Sequence, residues 1–330
     1  MMFYFSNNLE VVSLHIEDDV WKRFTVYQSA ETTQHFLKKC YKEIENKDIE
    51  TKSYDNCFAF MYYLEQGEVF YKQASLSPLS IRPILLFYGL IHLIKACLLT
   101  VDPFYPNSTS VLAHGVTTRK RKKRHYKFLH DEIKVQKNGL CTFFSEQLFH
   151  VKHLEGEKFH MIDLLKLVVE LDDVMLHILR QPNMIALERM DDNKWGIPKE
   201  IYDSYYMDGK RLKEYLNGKY SEVIIWEEEK LKLPAFQKQG MISPPFRYHI
   251  FNQNLYIPAE KYSNMELPDM IVHYLLLYNL SMISRYETEW WIDLIKTTPN
   301  SDYPIIKSFL EITEKKGPLI VEEYLRKKLL

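Results

Sequence analysis

Ile84-Leu85-Leu86-Phe87-Tyr88-Gly89-Leu90-Ile91-His92-Leu93-Ile94-Lys95-Ala96-Cys97-Leu98-Leu99 is the most apolar stretch of this 330-residue chain. It falls short of the ~20 residues that a membrane span needs, and His92 and Lys95 interrupt it. The stretch therefore reads as the core helix of a mainly α protein, running from about Ser80 to Thr100. Pro83 is tolerated because it lies in the first turn, where backbone N–H groups have no helical partner. Asp102-Pro103 and Tyr105-Pro106 stop the helix.

Working outward, two helices precede it. Ser29 is placed to cap one that runs to about Glu45, with Phe36, Leu37 and Tyr41 at helical spacing. The next covers about Ser53 to Lys72, where Phe58, Met61, Tyr62, Leu64 and Phe70 form an apolar face, and Leu76-Ser77-Pro78 breaks it. Glu10–Ile16 alternates like a strand.

Downstream the period changes. Ile133 and Val135, then Leu140, Thr142 and Phe144, flank Asn138-Gly139 and predict a β-hairpin with a type I′ turn. A long amphipathic helix is expected over about Met161 to Leu179. Its polar stripe of Asp163, Lys166, Glu170, Asp173, His177 and Arg180 reads as a solvated face. Tyr220–Leu233 and Phe246–Ile257 look like strands, and helices return over Pro268–Tyr286, about Ile305–Glu314, and Pro318–Lys328.

The bulk composition narrows the functional classes. Hydrophobic residues make up 46% and aromatic residues 14%, enough for a large core. The formal net charge is -1, so any attraction for anions must be local. Four dispersed cysteines with no C-x-x-C pair predict buried free thiols in a reducing compartment, and no signal-peptide pattern opens the chain. The expected setting is cytoplasmic. Phosphate-cradling glycine motifs and the H-E-x-x-H and G-x-S-x-G signatures are missing, which counts against nucleotide hydrolases and nucleotide-cofactor oxidoreductases. His150, His153 and His160 are too irregularly spaced to read as a metal site, and no cofactor is expected.

Three features carry possible chemistry. The first is Arg119-Lys120-Arg121-Lys122-Lys123-Arg124, six consecutive cations between His114-Gly115 and His125. Such a run suits a solvated patch that meets phosphates. It also contains Arg-x5-His pairs, Arg119 with His125 and Arg124 with His130, which could cleave RNA without a metal. The second is Tyr88, His92 and Lys95, a polar stripe at i, i+4 and i+7 on the core helix. It is either a set of polar tips bonded to neighbouring helices or a seam with Lys95 open to an anion, and a carboxylate is expected opposite Lys95. The third is Tyr274, Tyr278, Ser281 and Arg285, followed by Tyr286, Trp290 and Trp291. Arg285 among rings suits a flat anionic ligand, or else it pairs with Glu287 or Glu289.

Several segments together resemble the YaaC family of Bacillus-type Gram-positive bacteria. They are Ser77-Pro78-Leu79-Ser80 leading into Pro83–Gly89, Lys95–Pro103, His114–Lys120, Gln136-Lys137-Asn138-Gly139 and Leu280–Tyr286. The resemblance brings no activity with it. The family gene commonly lies beside one for IMP dehydrogenase, which implies a partner linked to purine metabolism. A more distant likeness is to HEPN domains, through Phe87-Tyr88-x3-His92 and the later His114-Gly115 step. Some HEPN proteins are metal-independent ribonucleases using Arg-x4-6-His, which would fall on Arg119 and His125.

The expected architecture is mainly α with a minor α+β component. An N-terminal segment spans 1–27, a HEPN-like helical bundle with a β-hairpin spans 28–180, and a mixed α/β portion ending in helices spans 181–330 and packs on the first. The leading functional expectation is non-catalytic binding of RNA or a purine nucleotide through Arg119–Arg124, with Tyr88, His92, Lys95, His114 and Arg285. The alternatives are a metal-independent ribonuclease and a scaffold that docks a protein partner or a second copy. No membrane partner is expected.

Overall fold

The computed structural model describes residues 20–44, 48–118, 126–180, 182–191, 193–233, 242–261 and 263–329. The strand expected at 10–16, the run Arg119–Arg124 and His125 lie outside these residues.

Helix α1 spans Ala30–Glu43, and the Ser29 hydroxyl accepts from the Thr32 N–H at 3.5 Å, as the capping pattern predicts. Helix α2, Ile49–Leu76, buries Ser53, Cys57, Phe60, Leu64, Gly67, Tyr71 and Ala74, one stripe at alternating spacings of four and three. Helix α3, Arg82–Leu99, is the predicted core helix. By length and composition it could cross a membrane, but 67% of it is buried inside the fold. The sequence after it forms a compact linker, a strand β1 (Val116–Thr118) and a strand β2 (Glu132–Val135).

The predicted hairpin at Asn138-Gly139 does not form. Gly139 instead leads into helix α4, Leu140–Phe149, which buries Leu140, Cys141, Phe144, Ser145 and Leu148. Those burial spacings are helical, and the short Leu140-Thr142-Phe144 alternation is incidental to them. Strand β2 pairs with β1 (Ile133 opposite Thr118) and with β3, Lys158–His160, in an antiparallel three-stranded sheet.

The long helix expected over Met161–Leu179 is broken as well. It forms α5 (Met161–Leu165), a 3-10 turn at Val169–Leu171 and α6 (Asp172–Leu179). The break turns Glu170 inward, so the stripe is not wholly solvated: its side chain is 0% exposed and pairs with Lys316 at 3.0 Å.

Two further small antiparallel sheets follow. One has the order β4 (Met184–Ala186), β10 (Asn254–Pro258), β9 (Arg247–His249). The other runs β5 (Glu188–Asp191), β6 (Lys194–Gly196), β8 (Lys230–Lys232), β7 (Ile225–Glu227). Helices α7 (Lys199–Tyr205) and α8 (Gly209–Lys219) lie between β6 and β7 in the chain. Helix α9, Asp269–Tyr286, is buried along almost its whole length, and α10, Thr288–Thr297, turns back from it. The two helices expected at the end of the chain are one, α11, Asp302–Leu329, which runs through Pro318. Burial on all sides of its middle, from Lys316 to Leu325, holds the helix together where proline alone would end it.

Helix α3 is the axis of the molecule. It packs against α2, α9, α11 and α4, so one continuous core joins residues near both ends of the described chain. All four cysteines are buried and free. The mainly α architecture with minor antiparallel sheets follows from an axial helix apolar enough to need neighbours around most of its circumference.

Candidate functional site

The stripe Tyr88, His92 and Lys95 is half-buried, as are Arg82, Ile84 and Leu85 in the first turn of α3. Its α2 side is aromatic. Phe70 stacks on His92 with ring centroids 5.5 Å apart and planes at 16°, and it also lies 6.1 Å from Tyr88. Tyr63 is 6.0 Å from His92, and the Lys95 ammonium sits over the Tyr63 ring, 5.6 Å from its centroid. Tyr63 and Phe70 reach the stripe because Gly67 lies between them on α2. A Cβ there would stand 2.5 Å from Leu93 Cδ2, so glycine permits the close crossing of α2 and α3.

His114 arrives from the linker after α3. Its carbonyl accepts from the Tyr274 hydroxyl at 2.8 Å and from the Cys141 N–H at 3.1 Å. Gly115 then turns with φ +74° into β1, and Gly139, at φ +135°, packs directly on it. A Cβ at Gly139 would lie 2.2 Å from Gly115 Cα. Both positions therefore demand glycine. The His114 ring rests edge-on against Phe87 (5.1 Å), Tyr278 (5.7 Å) and Tyr88 (6.1 Å).

Arg285, on the last turn of α9, completes the group. Its Nε donates to the Ser281 carbonyl at 3.0 Å, and Nη1 reaches the Tyr88 hydroxyl at 3.4 Å. The guanidinium lies over the rings of Tyr286 (5.3 Å) and Tyr88 (5.9 Å). Among the described residues no carboxylate forms an ion pair with Arg285 or Lys95. The partners expected from sequence, Glu287 or Glu289 for Arg285 and an acid opposite Lys95, are replaced by aromatic faces.

The electrostatics follow from that replacement. Burial lowers the His114 pKa, and Arg285 and Lys95 lower it further by repelling the imidazolium. Burial and Lys95 do the same to His92, whose Nδ1 is buried without a hydrogen-bond partner. Burial also lowers Lys95. Burial and the neighbouring cations thus favour the neutral form of both imidazoles, and among the described residues no carboxylate is paired with Lys95 or Arg285.

A family model described as YaaC-like Protein matches residues 25–325. The chain belongs to that family. No significant match was found among curated proteins or solved structures.

In this YaaC-like chain, five residues singled out from sequence meet at one place: Tyr88, His92, Lys95, His114 and Arg285. The sequence reading missed Tyr63 and Phe70, whose seven-residue spacing puts them on one face of α2. Arg119–Arg124 and His125 lie outside the described residues. The described residues that flank 119–125 are anchored close to the site. Strand β1 packs on α9. Tyr126 stands edge-on to Trp290 of α10 at 4.7 Å and donates to Asp131 at 2.7 Å. Asp131 in turn accepts from Asn279 of α9 at 3.0 Å. No group of three or more metal-ligating side chains converges among the described residues.

Proposed function

We propose that this protein is a non-catalytic binder of a phosphate-bearing partner, a purine nucleotide or RNA, seated at Lys95, His114 and Arg285. The observation that carries the reading is two half-buried cations held against aromatic faces, with no carboxylate among the described residues to neutralise them. Cations left in that state favour an incoming anion, and Tyr88 and Tyr286 offer faces for a base. The run Arg119–Arg124 supports the same reading from sequence, as an electrostatic contact for further phosphates. The setting proposed is cytoplasmic, in keeping with four free thiols.

The test is titration of a labelled single-stranded RNA and of adenosine nucleotides into the full chain over a range of salt. Lys95→Met and Arg285→Met should each weaken binding at least about tenfold. RNA binding through all six cations of the run should show a log–log salt slope of roughly -4. Salt-independent binding, or binding indifferent to both substitutions, would refute the proposal.

A second reading, docking of another protein or a second copy, has its own observation. Tyr54, Phe58 and Tyr62 stand at i, i+4 and i+8 on α2 and are 60%, 43% and 57% exposed. Replacing all three by serine should leave binding of anions intact and abolish any dimer seen in sedimentation.

A further inference from the structure

We propose that this site is selective for a phosphate monoester, the doubly charged terminal phosphate of a mononucleotide, over the singly charged diester of an RNA backbone, with His114 as the residue that registers the difference. The inference rests on the anion-binding reading above and names its ligand class.

The charges match a dianion. Arg285 is permanently cationic, and Lys95 supplies a second charge from the opposite helix of the pair α3 and α9. A dianion neutralises both, whereas a diester leaves one half-buried cation without a partner. The donor residues match a monoester as well. A monoester presents three non-bridging oxygens and a diester two. Lys95, His114 and Arg285 come from three separate segments, one donor residue for each non-bridging oxygen of a monoester.

The charged or titratable groups facing His114 are Arg285 and Tyr278 from α9 and Lys95 and Tyr88 from α3. His92 lies farther along the same α3 stripe. Among the described residues no carboxylate acts on the ring. Both cations repel a proton from the ring while the site is empty. An arriving dianion reverses the sign of that local field, so the ring takes up a proton and becomes a charge-assisted donor. A monoanion cancels only part of the repulsion. Binding of a monoester is therefore coupled to proton uptake, and binding of a diester is coupled weakly.

Isothermal titration calorimetry on the full chain separates these outcomes. Adenosine 5′-monophosphate and adenosine 3′,5′-cyclic monophosphate share base and sugar and differ in the phosphate. At pH 7.5 the monoester should bind about tenfold or more tightly. Its observed enthalpy should differ between Tris and HEPES in the sense of net proton uptake. His114→Asn should still bind the monoester but lose the uptake and most of the preference, and His114→Gln should behave alike. An unchanged melting temperature would show that neither variant acts through unfolding. Equal affinities, or no uptake by the wild type, would overturn the inference. If both nucleotides bind equally and both are lost in Arg285→Met, the anion-binding reading survives and only the monoester selectivity falls. If the wild type binds neither nucleotide nor RNA, or the cation variants bind as the wild type does, both fall together.

Discussion

Lys316→Met tests how the two ends of the chain hold the site together. The Lys316 ammonium is 4% exposed and lies 2.9 Å from Asp269 and 3.0 Å from Glu170, with the Tyr248 carbonyl at 3.3 Å. Burial would lower the lysine and raise the Asp269 carboxyl. Their mutual attraction reverses both, so Lys316 is raised and Asp269 is held well below the usual carboxylate range. Removing the cation affects the two acids unequally. Asp269 keeps Arg247, which pairs with it directly, whereas among the described residues Glu170 keeps no cation in an ion pair and accepts from the Ile250 N–H at 3.1 Å. The cost is therefore that of one buried, uncompensated carboxylate, about 3–5 kcal/mol. At about 2.1 cal/mol/K per residue, unfolding of this chain carries an entropy near 0.7 kcal/mol/K, so the loss corresponds to a fall of roughly 4–7 °C in melting temperature. Calorimetry or the fluorescence of buried Trp195 and Trp291 would follow it. Because the damage lies in Glu170, the double variant Lys316→Met with Glu170→Gln should recover more than half of the loss. A fall below about 1 °C, or a double variant no better than the single one, would refute the reasoning.

Arg285→Met removes one of the two charges acting on His114, so the imidazole pKa should rise toward its ordinary value in an NMR titration; no movement would mean that the guanidinium does not act on the ring. Gly139→Ala should lower the melting temperature by several degrees and disturb His114, because it forces an L side chain to φ +135° with its Cβ against Gly115; a neutral result would contradict that contact. His273, fully buried, is held at about 3 by burial and then by Lys316, while the unfolded chain protonates it near 6.5. The unfolded state therefore binds the extra proton between those values, and stability falls as pH drops, by about 1.4 kcal/mol per unit. Burial raises Glu323 to about 7, so there the folded state takes the proton first and stability rises as pH falls from 7 to about 4.5. Stability measured against pH should give wild-type-minus-variant curves of opposite slope for His273→Gln and Glu323→Gln, and parallel curves would show the assignments to be wrong.

The local rules worked where the relevant geometry is local. The Ser29 cap, the tolerance of Pro83 in the first turn, and the placing of Tyr88, His92 and Lys95 on one face all depend on neighbours within about two turns. They failed where distant contacts outweigh a local preference. Pro318 should end a helix, yet the helix continues because packing encloses it. Leu140, Thr142 and Phe144 alternate as a strand would, yet they form a helix anchored by Gly139 against Gly115, 24 positions away in the chain. Glu170 fits a solvated stripe by spacing, but its partner is Lys316, 146 positions on.

The candidate site divides along the same line. Residue types and helical period were enough to single out Lys95 and Arg285 and to expect acids beside them. Arg285 reaches Tyr88 across 197 positions, and the acids prove to be rings. An apolar helix must be enclosed, and that requirement can be read from composition and period alone. Which side chains then face one another depends on how α2, α9 and the His114 linker cross α3, through long-range contacts that no local spacing encodes.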